Sequence, residues 1–214
     1  MPAMTTNADL TLIAVLVDRS GSMAQWREDM EGGLNAFVES QASEPGEAEI
    51  TLAQFDTRYE LVWPLGPIKD APKYALMPRG GTALLDAMGR FITQVGEELA
   101  QRDETDRPGK VIVCIVTDGL ENSSVEWTRE SVKALVEQQR DQWQWEFVFL
   151  GADIDAVQEG ASLGVPHRST LTFDKANTID VYAMTSDWVS TVRGGGEAAF
   201  SEENRKSALK RTRR

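Results

Sequence analysis

Cysteine and histidine are almost absent from this chain: Cys114 and His167 are the only ones in 214 residues. A single cysteine excludes a disulfide framework and a cysteine-rich zinc cluster. A single histidine excludes a histidine-rich metal site and leaves a His-based triad little to draw on. Cys114 stands in Val111-Ile-Val-Cys-Ile-Val116, where a small buried hydrophobe is expected. Long apolar runs are missing too. None approaches the ~20 residues of a membrane span, and the first residues do not read as a secretory leader. A soluble, cytoplasmic protein is expected.

Positive charge is also scarce. Lys and Arg number 22 against 34 Asp and Glu, a net charge of −12. Six basic side chains and no acidic one fall between Arg205 and Arg214; setting those six aside takes residues 1–204 from −12 to −18. Such a body repels nucleic acid and anionic lipid and attracts cations or basic partners. Contact with nucleic acid is expected only through the basic tail, whose plain reading is a solvated terminus.

What is present is enough for a core: 41% hydrophobic and 26% charged residues. The length fits one domain, expected over 8–193, followed by a basic tail over 194–214 that starts at Gly194-Gly-Gly196 and is expected to be flexible. Leu10–Val17, Lys110–Thr117 and Trp145–Leu150 are short continuous apolar runs of the kind fully buried strands show. Glu49–Phe55 alternates as a strand, and Tyr59–Trp63 reads as its hairpin partner. Four prolines between residues 64 and 81 predict a loop. Helical spacing of apolar residues predicts helices from Met23 to Val38, from Thr82 to Leu99, over Thr128–Gln139 and over Asn177–Val192. A short helix to about Leu163 and an edge strand near Ser169–Phe173 complete the pattern. Strands alternating with helices imply an open α/β sheet, mostly parallel, with one antiparallel edge hairpin and helices on both faces.

In such sheets ligands gather at the carboxyl ends of central strands. Asp18 and Asp118 both follow a buried strand directly. In Asp18-Arg-Ser20-Gly-Ser22 a carboxylate and two hydroxyls alternate, and a loop leaving a strand can point all three at one spot. Thr82 follows Gly80-Gly81 at a helix start. Oxygen-only donors at this density suit a hard cation, Mg²⁺ first, then Ca²⁺ or Mn²⁺. Taken singly, Thr82 also fits a helix N-cap, Ser20 and Ser22 turn formers, and Asp118 an Asx turn.

Together these residues resemble the von Willebrand factor type A domain with its metal-ion-dependent adhesion site. Asp18, Ser20 and Ser22 match its D-x-S-x-S motif, Thr82 its loop threonine, and Asp118 within Thr117-Asp-Gly119 its later aspartate. Residues 151–176 and the tail match no motif of the family. The resemblance spans about residues 10–192 and implies a Rossmann-like sheet. It implies that Ser20, Ser22 and Thr82 ligate the metal directly, and that Asp18 and Asp118 do so directly or through water. It also implies a non-enzymatic role: a Glu or Asp of a partner protein completes the metal shell. Small intracellular members in bacteria and phages often act as adaptors, for partners such as hexameric ATPases.

Around the ligands, Trp26, Leu120, Glu121, Asn122 and Asp153 are candidate rim residues for a partner. Trp26 fits the core equally well, and Asp153 and Asp155 could instead cap a helix. Trp143 and Trp145 are expected to pack on the sheet, and His167 to sit in a surface loop. Two other readings compete. One is a structural or assembly component of a phage particle or large complex, which would be virion-associated in the phage case. The other is a Mg²⁺-dependent phosphohydrolase using Asp18. The second lacks support: the position two residues after Asp18 is Ser20, where such phosphatases place an aspartate, and no G-x-x-x-x-G-K-[ST] loop occurs.

Overall fold

The computed structural model describes residues 6–210. Six strands form one sheet in the order β3-β2-β1-β4-β5-β6. They are β1 (Asn7–Asp18), β2 (Glu47–Phe55), β3 (Tyr59–Pro67), β4 (Pro108–Thr117), β5 (Glu146–Ala152) and β6 (Thr170–Phe173). All pairings are parallel except β2–β3. The chain winds from β1 toward β2 and β3, then returns to place β4 on the other side of β1. The strand order therefore reverses between β1 and β4, where the two carboxyl ends splay and leave a crevice.

Each strand alternates its side chains between two apolar layers. Ile13, Val15 and Val17 face α1 (Arg27–Ser43) and α5 (Thr178–Arg193), in a cluster with Met30, Leu34, Tyr182 and Val189. Leu12, Ala14 and Leu16 face α2 (Leu84–Ala100) and α3 (Arg129–Trp143), with Met88, Phe91, Val132 and Val136. The short α4 (Ala156–Ser162) sits on this second face through Ala156. Cys114 is buried, and burial pushes its thiol up to about 12, as an inert small hydrophobe requires.

Three expectations need amending. Strand β3 continues through Pro64 to Pro67 instead of ending at Trp63. It is an edge strand, so proline N-H groups are not needed on its open side. The helix expected from Met23 begins as a 3-10 turn over Gly21–Trp26 and becomes α-helical only at Arg27. The segment after Gly194 is not a free tail as far as residue 210. Ala198 and Phe200 are buried, Phe200 stacks on Trp188 with ring centroids 6.4 Å apart, and α6 (Glu202–Ala208) is capped by Ser201. Arg205 donates to the carbonyls of Thr170 and His167. These contacts cover the β6 edge, which would otherwise present unpaired backbone. The expected tail residues 211–214 lie outside the described residues.

Candidate functional site

Asp18 ends β1 with its carboxylate fully buried. Its Oδ1 accepts from the backbone N-H of Ser20 at 2.6 Å, which bends the chain out of the strand, and its Oδ2 accepts from the Thr117 hydroxyl of β4 at 2.6 Å. Burial outweighs these bonds and, with the charge of Asp118 adding to it, raises the Asp18 carboxyl from 3.8 to about 6. The 3-10 turn then brings the Ser20 and Ser22 hydroxyls within 3.1 Å of each other. Ser22 donates to Asp118 Oδ1 at 2.6 Å, and Ser20 Oγ lies 3.5 Å from the same oxygen. Two segments nearly a hundred residues apart thus meet across the β1–β4 crevice.

Thr82 arrives from a third segment. Gly80 adopts φ +69°, a left-handed turn that favours glycine, and its carbonyl accepts from Gly21 N-H at 3.1 Å. Thr82 is clamped to the loop after β4: its N-H donates to Asn122 Oδ1, and its carbonyl accepts from Asn122 N-H, both at 3.0 Å. A Cβ on Gly119 would lie 3.0 Å from Thr82 Oγ1, so this hydroxyl sits against the backbone beside Asp118. Thr82 is not the N-cap of α2, a position held by Ala83 with no side-chain cap bond.

Acidic side chains the sequence did not single out hold this arrangement. Asp56, at the end of β2, is buried and its Oδ2 accepts from Arg19 at 2.9 Å and from Arg79 at 2.7 Å. Burial opposes its ionisation. The bond from Arg79, the Arg58 N-H and the two guanidinium charges overcome that and hold it below 3.8. Arg19 and Arg79 also join directly, Arg79 N-H to Arg19 carbonyl at 2.8 Å, so the D-x-S-x-S segment and the Gly80-Gly81 loop share one buried anchor. Asp86 in α2 accepts from the N-H groups of Val125, Glu126 and Trp127. Trp127 is seated over Gly89, where any larger residue would collide with its indole.

The expected rim divides. Leu120 is 58% exposed, and Val125 and Met77, on the loops flanking Asp118 and Thr82, are 89% and 74% exposed, an apolar fringe on an otherwise polar edge. Glu121 does not face outward. Its carboxylate accepts from Leu85 N-H at 2.9 Å, from Ser123 and Ser124 N-H at 2.7 Å and from the Ser124 hydroxyl at 2.7 Å. Asn122 is exposed, and its Oδ1 accepts from both Thr82 N-H and the Ser123 hydroxyl. Trp26 is buried, edge-on to Phe173, with its indole N-H donating to Asp118 Oδ2 at 3.3 Å. Asp155 caps α4 by accepting from Gln158 N-H. Asp153 is exposed on the rim, and His167 is exposed at the opposite end of β6.

One residue from the segment without motifs enters the site. Lys175, just after β6, places its ammonium 2.8 Å from Asp118 Oδ2, 3.7 Å from Asp153 Oδ2 and 5.7 Å from the centre of the Trp26 ring. A lone lysine in a polar loop carries no local periodicity that could have announced this.

Asp18, Ser20, Ser22, Thr82 and Asp118 therefore converge on one rim. The donor set is oxygen only. Among the described residues no group of three or more His, Cys, Asp or Glu side chains is placed to hold a metal. Two carboxylates and three neutral hydroxyls fit a hard divalent ion that keeps some positions for water or an incoming ligand, and do not fit a softer ion that wants imidazole or thiolate. A separate apolar cavity of about 530 Å³, lined by Leu99, Val111, Leu135 and Trp145, lies at the other end of the sheet and touches none of these residues.

No protein-family model and no curated protein matches the sequence. Solved structures do match. Proximal thread matrix protein 1 from the mussel byssus superposes with a TM-score of 0.64 at 14% identity, covering 85% of this chain and 46% of that one. A second structure of that protein, described as having a zinc-occupied adhesion motif, gives 0.58 at 16% identity over 82% and 46%. The von Willebrand domain of a type V pilus tip protein from Porphyromonas gingivalis gives 0.60 at 12% identity, covering 90% of this chain and 98% of that one. The chain spans about half the length of the mussel proteins it matches. At these identities the likeness concerns the fold: the chain has the α/β fold of von Willebrand factor type A domains.

Proposed function

We propose that this chain is a divalent-cation-dependent protein-interaction module, with Asp18, Ser20, Ser22, Thr82 and Asp118 as the cation's ligands. The observation that carries the reading is the 2.6 Å bond between Ser22 Oγ and Asp118 Oδ1, which joins the two halves of the motif across the strand reversal. Mg²⁺ is the favoured ion, with Ca²⁺ or Mn²⁺ as substitutes. When bound, the ion supplies an electrophilic point that a Glu or Asp of a partner protein can fill.

The chain's own residues do the rest. Thr117 and the Ser20 N-H orient Asp18, the Asp56–Arg19–Arg79 anchor sets the spacing of the first two loops, and Asn122 fixes Thr82. Leu120, Val125 and Met77 offer apolar contact around the central charge, the composition of a contact site with a polar centre. The acidic body opposes an acidic partner at long range, so shape and the ion carry the specificity.

Several of the matched structures come from thread-matrix and pilus proteins, which favours a role in adhesion or assembly as well as an adaptor role. Catalysis is not part of the proposal, because the serine hydroxyls are engaged with each other and with Asp118, and the only imidazole lies at the far end of β6. Calorimetric titration of MgCl₂ tests the reading. The wild-type chain is expected to bind, while Asp18→Ala and Ser20→Ala lose binding and keep their circular dichroism; unchanged Mg²⁺ affinity in both variants defeats it.

A further inference from the structure

From the position of Lys175 we infer that its ammonium is a tethered competitor for the divalent cation, and that the cation binds as this ammonium moves from Asp118 to Asp153. The inference rests on the proposed metal reading. Lys175 is 2.8 Å from Asp118 Oδ2, and the Asp118 side chain is wholly shielded from solvent. Its other oxygen already accepts from Ser22. A divalent ion using Asp118 would meet a second positive charge on the same shielded carboxylate, where water screens little.

The charges point to where Lys175 goes. Asp18, Asp118, Asp153 and Lys175 together carry −2 and balance a divalent ion overall, but with Lys175 in place two positive charges crowd the shielded Asp118 while Asp153 is left under-paired. With Lys175 on Asp153 instead, that pair is neutral, and Asp18 and Asp118 balance the ion. The move is short: Asp153 Oδ2 is 3.7 Å from the ammonium and its side chain is 53% exposed. The Lys175 backbone need not follow. Its carbonyl accepts from the Thr178 hydroxyl at 2.6 Å, and Asp174 accepts from Ala176 N-H at 2.9 Å. Rotation about the lysine's own side-chain bonds therefore accomplishes the exchange. Asp153 itself is set by a left-handed φ of 55° and a 2.8 Å bond from its N-H to the Phe173 carbonyl, which keeps it beside Lys175.

Two measurements test this. In the first, MgCl₂ is titrated into wild type and Lys175→Met by calorimetry. The variant is expected to bind roughly tenfold or more tightly, the scale of one charge-assisted bond the ion no longer displaces. In the second, wild-type protein is acylated with acetic anhydride with and without MgCl₂, and the peptide carrying Lys175 is quantified by mass spectrometry. Its modification is expected to rise several-fold with Mg²⁺ while other lysines stay constant. Simple long-range repulsion would tighten binding in the variant without that rise. Equal or weaker Mg²⁺ binding by a folded Lys175→Met, or constant acylation of Lys175 in a wild type that binds Mg²⁺, overturns the inference and leaves the metal reading standing. Absence of Mg²⁺ binding in both proteins overturns both. Should the variant not fold, acylation of the wild type decides alone.

Discussion

Thr117 and Asp18 lie on adjacent strands, and the Thr117 hydroxyl donates to Asp18 Oδ2 at 2.6 Å. The residue that precedes one candidate carboxylate thus orients the other. Thr117 Oγ1 also accepts from Gly119 N-H at 3.2 Å, so one hydroxyl shapes both loops. Thr117→Val keeps the shape and removes the donor. It is expected to cost about 1–3 kcal/mol, the penalty for leaving a buried acceptor without its partner. Urea unfolding in EDTA measures it, and a loss below about 0.5 kcal/mol would show that the bond is not structural.

Asp18 makes stability depend on pH. Its carboxyl titrates near 3.8 when unfolded and near 6 when folded, raised by burial. Below 3.8 both states hold the proton. Between 3.8 and 6 the unfolded chain releases it first, so stability falls as pH rises and levels off above about 6. The full loss is about 3 kcal/mol. Asp56, Asp86 and Glu121 are shifted down instead, so their contribution is lost only at more acidic pH. Thermal melts in EDTA from pH 4.5 to 7.5 should therefore show a falling midpoint in wild type and a flatter line in Asp18→Asn. Saturating Mg²⁺ should flatten the wild-type line too.

Asp56 anchors two loops through Arg19 and Arg79. Asp56→Ala leaves the Arg19 guanidinium, whose side chain is only 5% exposed, with the half-exposed Glu60 as its remaining ion partner. The loss is expected at about 2–3 kcal/mol, less than for a buried pair broken outright because Glu60 stays, and Mg²⁺ affinity should drop with it as the Gly80-Gly81 loop loosens. The Arg79 side chain is 57% exposed, so Arg79→Ala should cost much less than Asp56→Ala. Denaturant melts and calorimetry on both variants separate the two effects; equal stability losses would refute the assignment.

Glu121 closes the loop after β4 onto the start of α2. Glu121→Ala removes the acceptor of four hydrogen bonds and is expected to destabilise the fold by about 2 kcal/mol. A partner contact would behave in the opposite way, with stability unchanged and capture of a partner lost. Chemical denaturation of the variant distinguishes them.

Much of this architecture was legible locally. The apolar runs of β1, β4 and β5 show in composition alone, because strands buried on both faces need no alternation. The period of α2 is equally clear, since one side of that helix lies wholly on the sheet. The D-x-S-x-S segment and Asp118 each follow, and Thr82 precedes, an element the sequence marks plainly. Proline misled at β3, where an edge position removes its usual penalty. Charge misled at the carboxyl end, where Arg205 reads as solvated tail yet bonds the carbonyls of Thr170 in the last strand and His167 just before it. Trp26 and Glu121 read as rim residues, but their polar atoms are used inward.

The linear chain by itself determined the α/β alternation and the residue types that can hold a hard cation, because apolar period and donor chemistry are properties of neighbours a few positions apart. Only the tertiary structure decided that Lys175 meets Asp118, that Asp56 joins Arg19 to Arg79, and which candidates face inward. Those pairings depend on strand order and on which loops emerge side by side, and no short stretch of sequence encodes a contact whose partner lies on another strand.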